Sequence, residues 1–514
     1  MDRKRVFAFG VFLLMLWPAL AAGITIEDVF PGEGMTVGGT VPVLANIVTG
    51  SESASWRVYD SAGTIDVQGS GTSICVYWNA RTVAGTGDRI TIEASDDSGA
   101  AGTSVNVQID PALYANPSVN QLSSNPPDTE RMFCGGNLHR GSERISPTWS
   151  GDLAAFMSNA YSVIPEPRYP VLPICQNCEI FTNTYNGRNL LQWTENTSGQ
   201  TDWKAERVGI DATGAHIVFT SSADLLGTNP HGVQQVYLLS TRRNALQQMT
   251  FFEWGEFAER ATISGDALWI AFNSNANQLG TNPDRLKQVF VIDVAQNLLR
   301  QLAYGTDGET RTPFISGNGS LIAFSSSHNL TGQNPNLVHQ IFVVRNDGTG
   351  LRQLTFSNRK SCSRPALDIE GRKVVFLFHA NSPEDKTIGK GADIFSMNTD
   401  GTGTFRYTHV TDMDVQLRPH ISPNGEVIAW ESTADLAGRN GDLSREIYVV
   451  HTNKRDFKQI TDSVAYEPRR ARNVLCQRPY LNRSGSKVFF ECTADLTGYN
   501  PDLWLQVFSA PTGY

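Results

Sequence analysis

A repeated unit constrains the fold of this chain more than any other feature of its sequence. The unit recurs about every 52 residues, about seven times, through the last four-fifths or so of the chain. Its best-preserved part reads HIVFTSSADLLGTN in one copy, VIAWESTADLAGRN in another and KVFFECTADLTGYN in the last. Each copy holds short apolar runs separated by Gly, Asn and Ser turns, without the 3.6-residue periodicity of a helix. The repeat therefore predicts four short strands per copy.

Four-stranded repeats of this length are typical of β-propeller blades, so we predict an all-β chain with a propeller of about seven blades over residues 111–514. The last copy stops at QVFSAPTGY, before any fourth strand. A segment near 119–122 resembles the missing strand, and its pairing with the last copy would close the ring and remove the open edges. The alternative is a linear array with an incomplete final repeat.

Two further segments precede the repeats. Residues 1–22 begin with MDRKR and continue with an apolar run and small residues, which predicts a cleavable signal peptide and export to the periplasm or out of the cell. No later apolar run is long enough to cross a bilayer, so we predict no transmembrane segment in the mature chain. Residues 23–110 contain alternating runs such as RITIEAS and SVNVQID, which predict a small β-sandwich.

Two stretches resemble known families. ISPNGEVIAW and EIYVV resemble the start and centre of the β-propeller repeats of the TolB family. The region with PGEGMTVGGTVPV early and ITIEASDDSGA late resembles bacterial immunoglobulin-like modules of exported proteins. TolB itself has six blades behind an α/β domain, so the resemblance implies the propeller fold and not a role in the Tol–Pal system.

An arginine stands just before the innermost strand, the first, of every copy: Arg144, Arg207, Arg260, Arg311, Arg364, Arg418 and Arg478. The first strand of a propeller blade lines the central channel, so we predict that these side chains converge at one mouth of it. Guanidinium groups there would bind a carboxylate, sulfate or phosphate. In the alternative interpretation each arginine ties one blade to the next through nearby carboxylates such as Glu143, Glu206 and Glu259.

Seven cysteines occur in the chain, and export would allow disulfides to persist. Cys175 and Cys178 form a C-x-x-C at the end of an insertion rich in Pro and Tyr, for which we predict a disulfide that staples the loop. A redox pair and half of a zinc site are the alternatives. The insertion is either a recognition element or a tolerated extension.

Composition and motifs favour binding over catalysis. The formal charge of −9 and the lack of a basic block disfavour a nucleic-acid partner. Recurrent pairs such as Asp224 and Asn229 fit Asx turns better than a calcium loop, and we predict no metal and no cofactor. No catalytic motif is recognisable, and His420, on an inner strand, is predicted to be a buried channel or core histidine.

We therefore predict an exported, non-catalytic binding protein that takes a protein partner or an anionic ligand at the channel mouth. One alternative is a propeller lyase or glycosidase acting on an acidic saccharide, with His420 or Tyr480 transferring the proton. Another is a structural subunit of an envelope or extracellular assembly. The sequence alone leaves these alternatives open.

Overall fold

The computed structural model describes residues 24–30, 33–34, 36–37, 40–49, 54–71, 73–79, 87–97, 99–109, 120–122, 142–158, 175–176, 178–185, 189, 191–195, 204–379, 391–409, 415–454, 456–463, 475–494, 496 and 505–514. Within them every regular element is a β-strand, which confirms the prediction of an all-β chain. In this part of the chain no helix has the length and apolar character needed to cross a membrane. The predicted signal peptide, residues 1–22, lies outside the described residues.

The chain divides into two compact units, Met1–Val37 with Val41–Ile109 and Gly38–Thr40 with Asp110–Tyr514. The strands of the first unit are β1 (Thr25–Phe30), β2 (Thr36–Val37), β3 (Thr40–Val48), β4 (Ala54–Asp60), β5 (Asp66–Gly71), β6 (Ser73–Asn79), β7 (Gly87–Asp96) and β8 (Gly99–Ile109). They form a three-stranded sheet in the order β1-β3-β6 and a five-stranded sheet in the order β2-β8-β7-β4-β5.

The alternating sequence of the first unit translates into sheets with one buried face. In β7, Ile90, Ile92 and Ala94 are buried while the residues between them are exposed or half-buried. This period of two is what a strand requires when only one of its faces meets a core. The first strands divide between the two sheets, because β1 pairs antiparallel with β3 whereas β2 pairs parallel with β8.

The strands of the second unit are short and numerous. They are β9 (Asn120–Gln121), β10 (Ser142–Pro147), β11 (Leu153–Ser158), β12 (Cys175–Gln176), β13 (Glu179–Thr184), β14 (Leu191–Gln192), β15 (Lys204–Ile210), β16 (His216–Ser221), β17 (Gln235–Ser240), β18 (Ala245–Gln248), β19 (Ala258–Ile263), β20 (Trp269–Ser274), β21 (Gln288–Asp293), β22 (Leu298–Gln301), β23 (Thr310–Ile315), β24 (Leu321–Ser326), β25 (Gln340–Arg345), β26 (Arg352–Gln353), β27 (Cys362–Leu367), β28 (Lys373–His379), β29 (Ala392–Asn398), β30 (Phe405–Arg406), β31 (Gln416–Ile421), β32 (Val427–Ser432), β33 (Glu446–His451), β34 (Lys458–Gln459), β35 (Cys476–Leu481), β36 (Lys487–Cys492) and β37 (Gln506–Pro511).

The described strands of the second unit form seven sheets, numbered in chain order. Sheet 1 is β10-β11-β13-β14, sheet 2 is β15-β16-β17-β18 with β12 added beside β15, and sheets 3 to 6 are β19-β20-β21-β22, β23-β24-β25-β26, β27-β28-β29-β30 and β31-β32-β33-β34. Sheet 7 is β35-β36-β37-β9. Its fourth strand thus comes from the start of the unit, because Asn120 lies opposite Ser509 and Gln121 opposite Phe508.

The core lies between neighbouring sheets. The second and third strands are apolar along most of their length because sheets cover both of their faces, as in β20 and β21, where nearly every residue is buried. A pair of stacked aromatic rings joins these two strands in several sheets, for example Phe272 with Phe290, whose ring centroids lie 6.0 Å apart. Burial of each such ring contributes about 1.5–3 kcal/mol. The repeated aromatic positions therefore record repeated packing between sheets.

A belt of backbone hydrogen bonds joins the turns that follow the first strands. In each case an N–H donates to the carbonyl of the next turn: Trp149 to Ala212, Ala212 to Gly265, Gly265 to Gly317, Asn318 to Ile369, Ile369 to Pro423, Asn424 to Arg483, and Arg483 to Trp149. The belt passes through all seven sheets and returns to the first. The second unit is therefore a closed ring around a central channel, and the alternative of a linear array is wrong.

Candidate functional site

The first strands line the channel, and each contains a β-bulge near its third residue. In sheet 6, for example, Leu417 pairs with Glu431 and His420 with Ala429, so that two residues, Arg418 and Pro419, lie opposite one. Six of the seven bulges place their third residue in the left-handed region: Arg144, Arg260, Thr312, Arg364, Arg418 and Arg478, with φ of 62°, 58°, 50°, 53°, 47° and 52°. A bulge re-aims a side chain, and here it turns the arginines into the channel.

Six of the predicted arginines converge on one open cavity, whose lining includes Arg144, Arg207, Arg260, Arg364, Arg418 and Arg478. Arg311 is not among them. Thr312 occupies the bulge position of sheet 4, and the side chain of Arg311, 56% exposed, pairs instead with Glu309. The prediction for Arg311 is therefore corrected by one residue, to Thr312. We call the space between the six side chains the arginine cavity.

Two buried glutamates hold part of the arginine cavity together. Glu431 pairs with the guanidinium of Arg418, and its second oxygen accepts the backbone N–H of Arg478 in the next sheet at 2.8 Å. Glu491 repeats the pattern one sheet further on, because it pairs with Arg478 at 2.6 Å and accepts the backbone N–H of Arg144. Both carboxylates are fully buried on second strands. They tie sheet 6 to sheet 7 and sheet 7 to sheet 1.

Of the carboxylates predicted to tie the blades together, only Glu259 has a described side chain, and it pairs elsewhere. Glu259 pairs with Lys287 at 2.8 Å, and the side chains of Glu143 and Glu206 lie outside the described residues. Sequence reasoning missed Glu431 and Glu491. Their signal was a charged residue inside an otherwise apolar strand, in VIAWES and VFFEC.

Arg364 has a different environment. Among the described residues no carboxylate lies within ion-pair distance of it. Burial lowers the pKa of Arg364 well below its usual range, and the positive charges of Arg418 and Arg260 lower it further, against a smaller opposite effect of Glu431. Because a guanidinium still carries its charge at neutral pH, the side chain is a cation surrounded by cations. Such a group is stabilised by an anion from outside the chain.

Arg207 crosses the channel. It is the one arginine of the six whose backbone is outside the left-handed region. Its strand, β15, also has an extra partner, because β12 pairs with β15 just before Arg207. Its guanidinium donates to the hydroxyl of Tyr480 at 3.1 Å and lies 5.9 Å from the centre of the Phe314 ring. Arg207, Phe314 and Tyr480 thus form a partition below the arginine cavity.

A second space, the deep chamber, lies beyond this partition. It shares Arg207, Phe314, His420 and Tyr480 with the arginine cavity and is otherwise lined mainly by aliphatic residues of the first strands and their turns. The indole of Trp149 covers its far end. An added Cβ on Gly265, across the ring, would lie 2.1 Å from Cζ2 of Trp149, and one on Gly317 would lie 2.9 Å from the same atom. Glycine is required at both turns by this close approach.

His420 is buried in the partition between Phe314 and Tyr480, whose ring centroids lie 5.8 and 4.7 Å from its own. Its Nδ1 accepts the backbone N–H of Leu481 at 3.3 Å. Burial, followed by the charge of Arg207, lowers the pKa of His420 to about 3. The imidazole is therefore neutral at physiological pH, as a packed channel histidine would be.

The predicted loop staple is only partly described. Cys178 is disulfide-bonded, whereas the side chain of Cys175 lies outside the described residues, so their pairing stays a prediction. The backbone of β12 shows where the insertion ends, because Cys175 pairs with Ala205 at the channel-facing edge of sheet 2. A second disulfide, not predicted, joins Cys476 to Cys492 across the first two strands of sheet 7.

The repeated Asp and Asn residues between second and third strands serve their own turns. Asp224 accepts the backbone N–H of Asn229 at 2.7 Å, and the side chain of Asn229 donates to the carbonyl of Val233 at 2.8 Å. The same bonds recur around Asn282, Asn334 and Asn440. Within the described residues no group of three or more His, Cys, Asp or Glu is arranged to hold a metal ion.

Comparisons with known proteins find similarity only at the level of structure. No family model and no curated protein matches the chain. Similar solved structures include oligogalacturonate lyase in complex with manganese, at 11% identity and a TM-score of 0.49 over 78% of this chain and 94% of that one. Oligogalacturonate lyase from Vibrio parahaemolyticus matches at 11% identity and a TM-score of 0.49, over 78% of this chain and 95% of that one. TolB from Acinetobacter baumannii matches at 12% identity and a TM-score of 0.36, over 83% of this chain and 77% of that one. At such values these similarities assign no function to the chain.

Proposed function

We propose that this protein binds an anionic ligand in the arginine cavity. The observation that carries the proposal is Arg364, a half-buried arginine that lines the cavity among other guanidinium groups, with no carboxylate at ion-pair distance among the described residues. Such a group does not add to stability, because like charges held close together repel and a partly desolvated charge without a counter-charge is unfavourable. An incoming carboxylate, sulfate or phosphate provides the missing charge and accepts the fork of hydrogen bonds that arginine offers.

Inorganic phosphate, measured by calorimetry at low salt, is the first probe of the cavity. Arg364→Gln is expected to weaken phosphate binding ten- to a hundredfold, because it removes one charge-assisted contact worth about 1.5–3 kcal/mol. The matched control is Arg311→Gln, since Arg311 stands one residue before the equivalent position in sheet 4 and pairs with Glu309 outside the cavity. We expect that control to bind phosphate as the unchanged protein does.

Thermal unfolding of the same variant separates this role from a structural one. If Arg364 repels its neighbours in the free protein, Arg364→Gln melts at the same temperature or higher. A lower melting temperature, together with unchanged phosphate affinity, would mean that the residue ties sheets together and would defeat the proposal.

A protein partner is a second candidate, favoured by exposed aromatic residues on the arginine end of the ring. Phe251, Tyr304 and Phe356 follow the last strands of sheets 2, 3 and 4 and are 57%, 62% and 61% exposed, and Trp254 is 82% exposed. Antiparallel strand order places these connections at the end where the first strands begin. Exposed aromatic side chains near one another often mark an interface.

Trp254→Ser combined with Tyr304→Ser tests this second candidate. A partner recovered with the mature protein from its native source should be lost, or retained more than tenfold less, because aromatic anchors contribute most to such interfaces. The control is Leu298→Ser, an exposed apolar residue on a fourth strand. Equal recovery with both variants would exclude the aromatic surface as the docking site.

The structure gives less support to the lyase or glycosidase alternative. Its proton-transfer group would be His420 or Tyr480, and a histidine whose pKa is about 3 is a poor base at neutral pH. We therefore retain binding without catalysis as the proposed activity.

We also propose that the second unit, residues 111–514, is a seven-bladed β-propeller of the TolB-like type, with residues 23–110 as an immunoglobulin-like sandwich and residues 1–22 as a signal peptide. The pairing of β1 with β3 and of β2 with β8 supports the sandwich assignment, because immunoglobulin domains likewise place their first strands beside the second and the last. The disulfide between Cys476 and Cys492 supports export to the periplasm or beyond.

A further inference from the structure

The deep chamber has a chemistry of its own. Its lining includes Ile210, Ile263, Ile315, Leu367 and Ile421, and the only charged or titratable side chains among its described lining residues are those of the partition. A space of this kind offers nothing to an acidic group but gains free energy when it receives apolar surface. The two spaces, one cationic and one aliphatic, lie in succession along one channel.

The partition between them is one-sided. On each first strand, the residue two places after the arginine position points into the channel. In sheets 4, 6 and 7 this residue is large, namely Phe314, His420 and Tyr480. In sheets 1, 2, 3 and 5 it is small, namely Ser146, Gly209, Thr262 and Ala366. A passage between the two spaces therefore runs along sheets 1 to 3, whose small residues are neighbours in the ring, with the side chain of Arg207 across it.

We propose that the ligand is a free amphipathic anion, whose acidic group stays among the arginines while an unbranched aliphatic arm passes Arg207 into the deep chamber. This inference rests on the proposed anion-binding function and extends it by naming the other half of the ligand. Arg207 suits the junction between the two spaces, because its guanidinium can release the Tyr480 hydroxyl and bind the acidic group of the ligand instead. Trp149 ends the chamber, so the arm must be of limited length.

A series of straight-chain carboxylates tests the length of the arm. Acetate, butyrate, hexanoate and octanoate are competed against inorganic phosphate in the calorimeter. Because burial of one CH₂ group contributes about 0.8 kcal/mol, affinity is expected to rise about fourfold with each added CH₂ until the chamber is filled. Arg364→Gln should weaken every member of the series by the same factor, since all of them present the same acidic group.

Filling the deep chamber should remove the length dependence alone. Thr262→Phe places a ring on the open side of the partition, and it is expected to reduce the gain from acetate to octanoate to about twofold or less while phosphate affinity stays the same. Thr262→Val is the matched control, because it changes the polarity of the side chain and hardly its volume. Ile369→Trp fills the chamber from another turn and replaces Thr262→Phe if melting shows that variant unfolded.

The outcomes separate the two proposals. Absence of phosphate binding by the unchanged protein would overturn the proposed function itself. Phosphate binding with equal affinity for acetate and octanoate would overturn the amphipathic ligand and leave the anion site standing. A length dependence that survives both Thr262→Phe and Ile369→Trp would place the arm elsewhere and would also overturn the inference.

Discussion

Glu431→Gln is expected to lower the free energy of unfolding by about 3 kcal/mol, because it removes the fully buried carboxylate of an ion pair whose arginine is largely buried. In the unchanged protein the carboxylate compensates the Arg418 guanidinium and accepts the backbone N–H of Arg478 in the next sheet. A neutral amide leaves Arg418 without its counter-charge and turns one end of the side chain from acceptor to donor. The loss should appear as an earlier midpoint in urea unfolding followed by circular dichroism.

The control is Glu426→Gln, an exposed glutamate in the turn before the same strand. Its removal is expected to change the free energy of unfolding by about 0.5 kcal/mol or less. If Glu431→Gln were as stable as this control, the inter-sheet tie would be unimportant. The double variant Arg418→Gln with Glu431→Gln should recover part of the stability, since it leaves no uncompensated charge.

The single variant Glu431→Gln should also bind phosphate more tightly than the unchanged protein. Without Glu431 the Arg418 guanidinium is free to contact a ligand, so the affinity for phosphate is expected to rise while the stability falls. Opposite changes in the two quantities would show that one glutamate sets the balance between holding the ring together and binding an anion. A fall in both would mean that the cavity loses its shape when the ion pair is removed.

The two interpretations of the arginines that the sequence left open thus apply to different residues. Arg418 and Arg478 meet buried glutamates that join neighbouring sheets. Arg364 and Arg207 meet no carboxylate at ion-pair distance among the described residues, and they face the cavity and the partition. A repeated residue therefore does not carry a repeated role, because its role depends on what the second strand places opposite it.

The repeat predicts the architecture well because each copy must bury its second and third strands against its neighbours. The apolar runs of β20, β24 and β32 follow directly from that requirement. The pairing of β9 with β37 was foreseen from the missing fourth strand of the last copy. The disulfide between Cys476 and Cys492 was not foreseen, since it depends on the register of two strands that the sequence does not reveal.

The site was predicted in outline and missed in detail. Aligning the copies on arginine selected Arg311, whereas aligning them on the following proline would have matched Thr312-Pro313 with Arg364-Pro365 and Arg418-Pro419. The proline marks the bulge, and the bulge decides which side chain enters the channel. The partition and the deep chamber could not be foreseen, because they depend on side chains that meet across the ring from distant copies.

The second large effect on stability is expected at Glu446, which stands at a position of the third strand that usually holds glutamine. At the start of the third strand, Gln235, Gln288 and Gln340 each donate to a backbone carbonyl beyond the fourth strand. In the case of Gln340 that carbonyl belongs to Ser357, whose N–H bonds back to the same amide. In sheet 6 the residue is Glu446, fully buried among the hydroxyls of Ser444, Thr461 and Ser463. A carboxylate cannot reproduce the donor half of this motif when it is ionised.

Burial raises the pKa of Glu446 to about 7, against the partial opposition of its hydroxyl and N–H donors. The folded chain therefore keeps this proton between about pH 4.5, the ordinary pKa of the group, and about pH 7, where the unfolded chain has lost it. The contribution of Glu446 to stability is complete below that window and declines as the pH rises through it. Above about pH 7 the folded state holds a buried, ionised carboxylate.

Glu446→Gln is expected to raise the free energy of unfolding at pH 8 by up to about 3 kcal/mol and to change it little at pH 4.5. The amide restores the donor that Gln340 has in sheet 4, without a charge at any pH. Urea unfolding of the variant and the unchanged protein across this range measures the difference, in which the titration of all other groups cancels. The reverse substitution, Gln340→Glu, should destabilise the chain at pH 8 more than at pH 4.5. A difference independent of pH in both variants would mean that Glu446 is ionised throughout and accepts its hydroxyl donors as a carboxylate.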